Sequence, residues 1–579
     1  MSVLQKITER VRPNPANLPV VLELDLARGV LTHAPTSPIE ALKQRTATTL
    51  RDIREGLAHA EKDDHVVGLA VHIGTAPLPL GDADEVAELI AAFTKPTIAW
   101  TETFGELSGH SSAYRIACAA DEIWLQPTGT VGFSGFHASM TLFRGTLEKV
   151  GVTPHFEQRK EYKSAAETFG GREISDANRE QTQRLVDSLL EHAIGDVASA
   201  RNLDEDTVRG LVDQSPIGAE QALEAGLIDH VGYRDEVYTA MRERWGTERH
   251  TRGDDRSGEV RHAIHPSYVN RYNQRAQTTG RLSRMFATDR SAIGVVSAIG
   301  NIVLGPSTPG VGGTPCGCDT LSAQLRSARH DDSVQAVVLR VDSGGGSAVG
   351  SDQVRREVLQ LREAGKPVVA SMGNVAASGG YFIAMGTDRI VANPSTITGS
   401  IGVLGGKFIL AGLHERIGLV REGADAGARA GMWSEREFTD DELDVLNAWL
   451  DEVYSDFTTK AAQDRGMSID ELEPLARGRV WTGADAAERG LVDHVGGLAT
   501  ALRVAAEHAG AKPGELAVRT LPQMPWLDQL RPPESSETHA SAVGWDLGPD
   551  GLFRAAARML GMEAPAGVLS LPWTPHIRS

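Results

Sequence analysis

The chain has 579 residues, of which 41% are hydrophobic and 23% charged. That is longer than one ordinary domain, with enough apolar material for a sizeable core. Its formal charge of −19 argues against a general binder of nucleic acid or anionic membranes, and its three cysteines exclude a disulfide framework.

Residues 1–17 form an N-terminal extension without the apolar run of a secretory signal. No stretch reaches the roughly 18 apolar residues that a bilayer span needs. A cytoplasmic or peripherally membrane-associated location is therefore expected. From residue 18 the chain alternates strand-like apolar runs with amphipathic helices and short links. This grammar predicts α/β layering with largely parallel strand pairing.

The same grammar occurs twice. "DHVVGLAVHI" (64–73) matches "DSVQAVVLRV" (332–341), and "IGAEQALEAGLIDHVG" (217–232) matches "TGADAAERGLVDHVG" (482–496). Between these, residues 94–132 match 365–402. An offset that stays near roughly 265 residues marks a tandem duplication. The expected organisation is a first repeat at 18–245, a linker with one short helix at 246–290, a second repeat at 291–508, and a tail at 509–579. Within the second repeat, 292–305 reads as a strand, a turn and a strand. Cys316-Gly317-Cys318 has the wrong spacing for a zinc knuckle and reads, with Cys118 apart from it, as loop thiols. No metal site and no cofactor is expected. In the tail, 550–562 looks amphipathic and could touch a membrane surface.

The copies differ where chemistry would sit. A strand of the second copy runs into "DSGGGSAVG" (342–350), where the first has "GTAPLPLG" (74–81). The next strand of the second copy runs into "NVAASGGYF" (374–382), where the first has "ELSGHSSAYR" (106–115). Loops after neighbouring parallel strands can converge on one crevice. Ser378 would then face a glycine backbone, with the amide of Gly379 and one from Gly345 or Gly346 as donors for an oxyanion. The bland alternative is that Ser378 only caps a helix and the glycines only turn a loop.

A serine nucleophile needs a base. His330 and His414 read as ordinary surface histidines. Lys366 has a counterpart in Lys95 and a structural role suffices for it, whereas Lys407 and Lys460 stay open. The first copy offers Lys163 in "RKEYKSAAETFGGREISD" (159–176), whose counterpart "GARAGMWSEREFTD" (427–440) has no lysine. One copy thus keeps the serine and glycines while the other keeps a lysine, as expected for one site shared by both. A neutral, buried lysine can act as a base.

These motifs resemble the long, double-repeat form of the bacterial signal peptide peptidase A (protease IV) family. The most specific pieces are "GNVAASGGYFIAMGTDRIVANPSTITGSIGV", "RVDSGGGS" and "EYKSAAETF". The resemblance implies a tandem Clp/crotonase-like α/β fold and a serine–lysine endopeptidase acting on released signal peptides or other short apolar peptides. It further implies Ser378 as nucleophile, Lys163 as general base, Ser400 orienting the lysine, and a homotetramer. The family's proline in the glycine loop is Gly344 here, and the membrane anchor of many long-form relatives is not seen. Two other readings remain at this stage: a crotonase-like acyl-CoA enzyme, with a carboxylate near the glycines, and a non-catalytic membrane-associated scaffold.

Overall fold

The computed structural model describes residues 18–32, 47–74, 78–106, 111–250, 260–284, 291–307, 314–521, 569–570 and 576–578. The N-terminal extension and the amphipathic segment 550–562 lie outside them. Two compact units are present, one formed by residues 1–135 and 193–288, the other by 136–192 and 289–578. The units do not follow the repeat boundaries, because 136–192 of the first copy fold with the second copy.

The first unit is built on a six-stranded sheet in the order His230–Val231, Glu122–Leu125, Thr97–Thr101, Val66–His72, Val20–Asp25, His265–Tyr268, with every pairing parallel. Its central strands are almost continuously apolar, as expected of parallel strands covered on both faces. Val21, Ala70, Ile98 and Trp100 pack against Val237 and Met241 of helix Arg234–Trp245. The stretch expected as a linker does more than connect. It holds the antiparallel pair Thr247–His250 and Val260–Ala263, the edge strand His265–Tyr268 and the 16-residue helix Val269–Arg284. Its polar composition concealed them, because an edge strand and a one-sided helix need few apolar residues.

The second unit repeats that strand order: His494–Val495, Arg389–Ala392, Val368–Ala377, Val334–Ser343, Ala292–Ile299, Ala517–Thr520, again all parallel. Ile397–Gly399 extends the far end of Val368–Ala377 and carries Val480–Thr482 antiparallel to itself. One sheet face packs beneath helix Leu498–His508 through Val295, Val338, Val369, Ala501 and Ala505. The other supports the helices Cys318–His330, Ala348–Glu363, Gly379–Met385 and Asp440–Arg465. Matching anchors recur in the two units. Tyr114 donates to the Leu227 carbonyl and Tyr381 to that of Leu491. Lys95 and Lys366 each donate to two backbone carbonyls, so Lys366 has the structural role expected of it.

The strand–turn–strand expected at 292–305 forms, but Ile302–Val303 leaves the main sheet. It pairs with Cys316–Gly317 and with Gly345–Gly346 instead. The loop-thiol expectation needs correction. Cys316 lies in that short strand and Cys318 opens a helix, both buried, while Cys118 is part-buried. Burial among apolar neighbours pushes the Cys316 thiol up to about 12 and keeps it inert.

Candidate active site

Strand Val368–Ala377 ends directly at Ser378, whose backbone sits at φ 55°, ψ −114°. A non-glycine residue rarely adopts such a conformation unless its surroundings impose it. Here the Ser378 N–H donates to the Gly399 carbonyl at 2.8 Å, and the helix Gly379–Met385 starts at the next residue. The Ser378 side chain makes no cap hydrogen bond to that helix. The reading of Ser378 as a mere helix cap therefore fails.

Gly379 and Gly380 are required by close approach. A Cβ on Gly379 would meet Gly345 Cα at 3.0 Å and Gly346 N at 3.1 Å, and one on Gly380 would meet the Ser343 carbonyl at 2.4 Å. The helix start is thus seated on the glycine loop, and the two loops converge as their order in the sequence predicts. Gly346 is pinned from behind, at φ +149° with room for no side chain against the Ile302 carbonyl. The Gly345 N–H is taken by Ser343 Oγ at 3.1 Å. The N–H of Gly379, first in its helix, has no acceptor within that helix. Gly345–Gly346 also accepts a strand from the same chain, since Leu569–Ser570 pairs with it antiparallel.

Lys163 reaches Ser378 within the second unit. The strand Thr153–Gln158 pairs antiparallel with Leu404–Ile409, and the chain continues through the Arg159 N–H, which donates to the Val403 carbonyl at 2.9 Å. Gln181, early in helix Asp176–Arg201, then donates to the Tyr162 carbonyl and to Ser164 Oγ. At the end of this path Lys163 Nζ lies 2.8 Å from Ser378 Oγ, 2.9 Å from Ser400 Oγ and 3.1 Å from the Ser400 carbonyl oxygen. All three residues are essentially inaccessible, with Lys163 only 1% exposed. Burial alone brings the lysine down from its usual value to about 7, and among the described residues no carboxylate holds its charge.

The sequence candidates therefore separate. Ser378, Lys163 and Ser400 come together beside Gly379, Gly345 and Gly346. Lys407 donates to the Met432 carbonyl and sits over the Phe438 ring, and Lys460 pairs with Asp352 and Asp456. His414 pairs with Glu435 and His330 ends its helix, so neither touches the serine. Two neighbours of the lysine stem, Gly402 and Gly478, escaped the sequence reading. The signal was present: just before the shared Thr-Gly/Ile-Gly turn the second copy has "RGRVW" (477–481) where the first has "VDQSP" (212–216).

A buried amine lowered to about 7 and bonded to a serine hydroxyl, beside a glycine backbone, is the arrangement that attack on a carbonyl and stabilisation of the oxyanion require. Comparison with known proteins agrees in kind. The family model for Peptidase family S49 matches twice, at residues 91–248 and 360–512. The chain belongs to peptidase family S49. It is 33% identical over 480 residues to the chloroplastic serine protease SPPA of Arabidopsis thaliana, covering 81% of this chain and 67% of that one. Over 481 residues it is 30% identical to Protease 4 of Salmonella typhi, covering 80% and 72%. A shorter match, 34% over 174 residues, links it to a putative signal peptide peptidase SppA of Enterococcus faecium, covering 30% and 51%. The chain is thus a serine protease of the double-repeat S49 form, acting on peptides. This assignment sets aside the acyl-CoA and scaffold readings. Among the described residues no helix is long and apolar enough to cross a membrane.

Proposed function

We propose that this S49 peptidase cleaves peptide bonds with Ser378 as nucleophile and Lys163 as general base, on released signal peptides or other short apolar peptides. The observation that carries the reading is the 2.8 Å contact of Lys163 Nζ with Ser378 Oγ inside a site that lowers the lysine to about 7. In its neutral form the amine has two hydrogens and one lone pair. The hydrogens suit the two Ser400 oxygens, and the lone pair then faces the Ser378 hydroxyl. Ser400 is accordingly assigned to orient the base.

Attack by Ser378 Oγ on the substrate carbonyl transfers its proton to Lys163 and creates an oxyanion. The amides of Gly379 and Gly346 are the proposed donors. Gly345, whose own N–H is engaged by Ser343, shapes the loop. Collapse expels the amine, which takes the proton from the Lys163 ammonium and leaves an acyl-enzyme at Ser378. Water, deprotonated by the same lysine, releases the acid. The antiparallel pairing of Leu569–Ser570 with Gly345–Gly346 supports an extended substrate bound by strand addition at that edge.

The duplicated parallel layers support a Clp/crotonase-like fold for the copies at 18–245 and 291–508. Family resemblance supports a homotetramer, and the exposed Ile417, Val420 and Trp433 offer apolar contact surface for it. The proposed location is cytoplasmic or peripheral to a membrane. An internally quenched apolar peptide tests the chemistry: wild type should cleave it, and Ser378→Ala and Lys163→Ala should not. Normal cleavage by either variant would refute the assignment.

A further inference from the structure

The base has a built seat. Lys163 is held by the short loop Arg477–Arg479, each residue of which engages a different residue of the segment Glu161–Lys163. The Arg477 guanidinium donates to both carboxylate oxygens of Glu161, at 2.9 and 2.8 Å. Gly478, at φ +81°, lies so close to the lysine that a Cβ there would meet Lys163 Cβ and N at 2.5 Å. The Arg479 guanidinium stacks 3.9 Å over the Tyr162 ring and donates to Glu180, whose other oxygen accepts from the Tyr162 hydroxyl. Next along, the Val480 N–H donates to Gln181, the residue that binds Tyr162 and Ser164.

The same loop also holds the other end of the site. The Gly478 N–H donates to the Ile401 carbonyl and the Arg479 carbonyl accepts from the Ser400 N–H, both at 2.7 Å. Backbone strain gathers here too. Among the described residues the non-glycine positions with positive φ are Lys160, Asn202, Ser378, Ser400 and Arg477. All but Asn202 belong to this assembly, and strained backbone persists only where surrounding structure over-determines it.

We propose that Gly478 and Arg479 are positioning residues that set the distance and solvent exclusion of the Lys163 amine against Ser378 and Ser400. Neither touches the reacting atoms. Gly478 lets the loop backbone close over the lysine stem, which no side chain could permit, and Arg479 locks Tyr162 and Ser400 into one frame. The inference rests on Lys163 being the base. The charged groups on its own segment and on the elements packed around it are Lys160, Glu161, Glu473, Arg477, Arg479 and Glu180, and none of them contributes to its lowered titration, which burial alone causes. Lys160 lies near Glu473, and Glu161 and Glu180 are engaged by the two arginines.

The test measures kcat, KM and the pH profile of quenched-peptide cleavage for wild type, Gly478→Ala, Arg479→Ala and Lys163→Ala, with melting curves for each. Gly478→Ala should lose about 100-fold in kcat with KM little changed, since small displacements of a catalytic group cost that much. Its acidic limb should move up by about one pH unit as the amine regains water. Arg479→Ala should lose about tenfold with a limb shift of the same direction, and decides the matter if Gly478→Ala does not fold. Folded variants with an unmoved limb overturn the seat, whatever their melting temperatures, while Lys163→Ala remains inactive. If Lys163→Ala keeps wild-type activity, the base assignment fails first and the seat with it.

Discussion

Lys163 and Ser378 stand 215 positions apart in the chain and 2.8 Å apart at the site, and among the described residues neither has a carboxylate partner. Exclusion of water, rather than a neighbouring charge, lowers the lysine to about 7. This relationship fixes how the enzyme should respond to pH.

Below about pH 7 the Lys163 amine is protonated and has no lone pair for the Ser378 proton. Activity should therefore be low in acid and rise through a limb near 7. A kcat/KM–pH profile on a quenched apolar peptide checks this. A limb near 10, the usual lysine range, would mean that the amine is solvated in the working enzyme.

Stability should follow the opposite logic to activity on removing the lysine. Unfolded Lys163 titrates near 10.5 and folded Lys163 near 7, so between those values the unfolded chain holds the extra proton. Wild-type stability must rise with pH across this window, the desolvation cost being complete below 7 and absent above about 10.5. Lys163→Met should thus be more stable than wild type at pH 7. The gain should be about 1–3 kcal/mol once the lost bonds to Ser378 and Ser400 are counted. Urea unfolding at pH 7 and pH 10 measures it, with the gain shrinking at the higher pH.

Gly379→Ala should damage turnover without loosening the substrate. Its Cβ would press on Ser351 Oγ at 2.8 Å and on the Gly345–Gly346 backbone, tilting the proposed oxyanion donors. A fall in kcat of about 10²–10³-fold with KM nearly unchanged is expected, as for loss of an oxyanion contact. Steady-state kinetics decide, and a pure KM effect would point to a role in substrate binding.

Ser400→Ala should be milder. The Ser400 carbonyl, 3.1 Å from Lys163 Nζ, remains to hold the amine after the hydroxyl at 2.9 Å is gone. About a tenfold loss in kcat is expected, against near-complete loss for Lys163→Ala.

Much of this was legible in the sequence because it lies in local patterns. The parallel core strands read as apolar runs, and the glycines beside Ser378 marked a close approach that the structure explains by the Ser343–Gly346 backbone. Lys163 could be singled out only by comparing the two copies, since a lysine in a charged segment shows nothing of its burial. The transfer of residues 136–192 to the second unit depends on the non-local pairing of Thr153–Gln158 with Leu404–Ile409, which no local pattern announces. Gly478 was missed for a similar reason. Its conformation is forced by a residue from the other copy, and a lone glycine between two arginines looks like any turn.

Fluorophosphonate labelling followed by peptide mapping tests the central claim most directly. Wild type should carry one adduct, on Ser378. Ser378→Ala should carry none, and Lys163→Ala should label at least about 100-fold more slowly at pH 8 while melting as a folded protein. An adduct on a different serine, or wild-type labelling rates in Lys163→Ala, would contradict a serine activated by the lysine of the other copy.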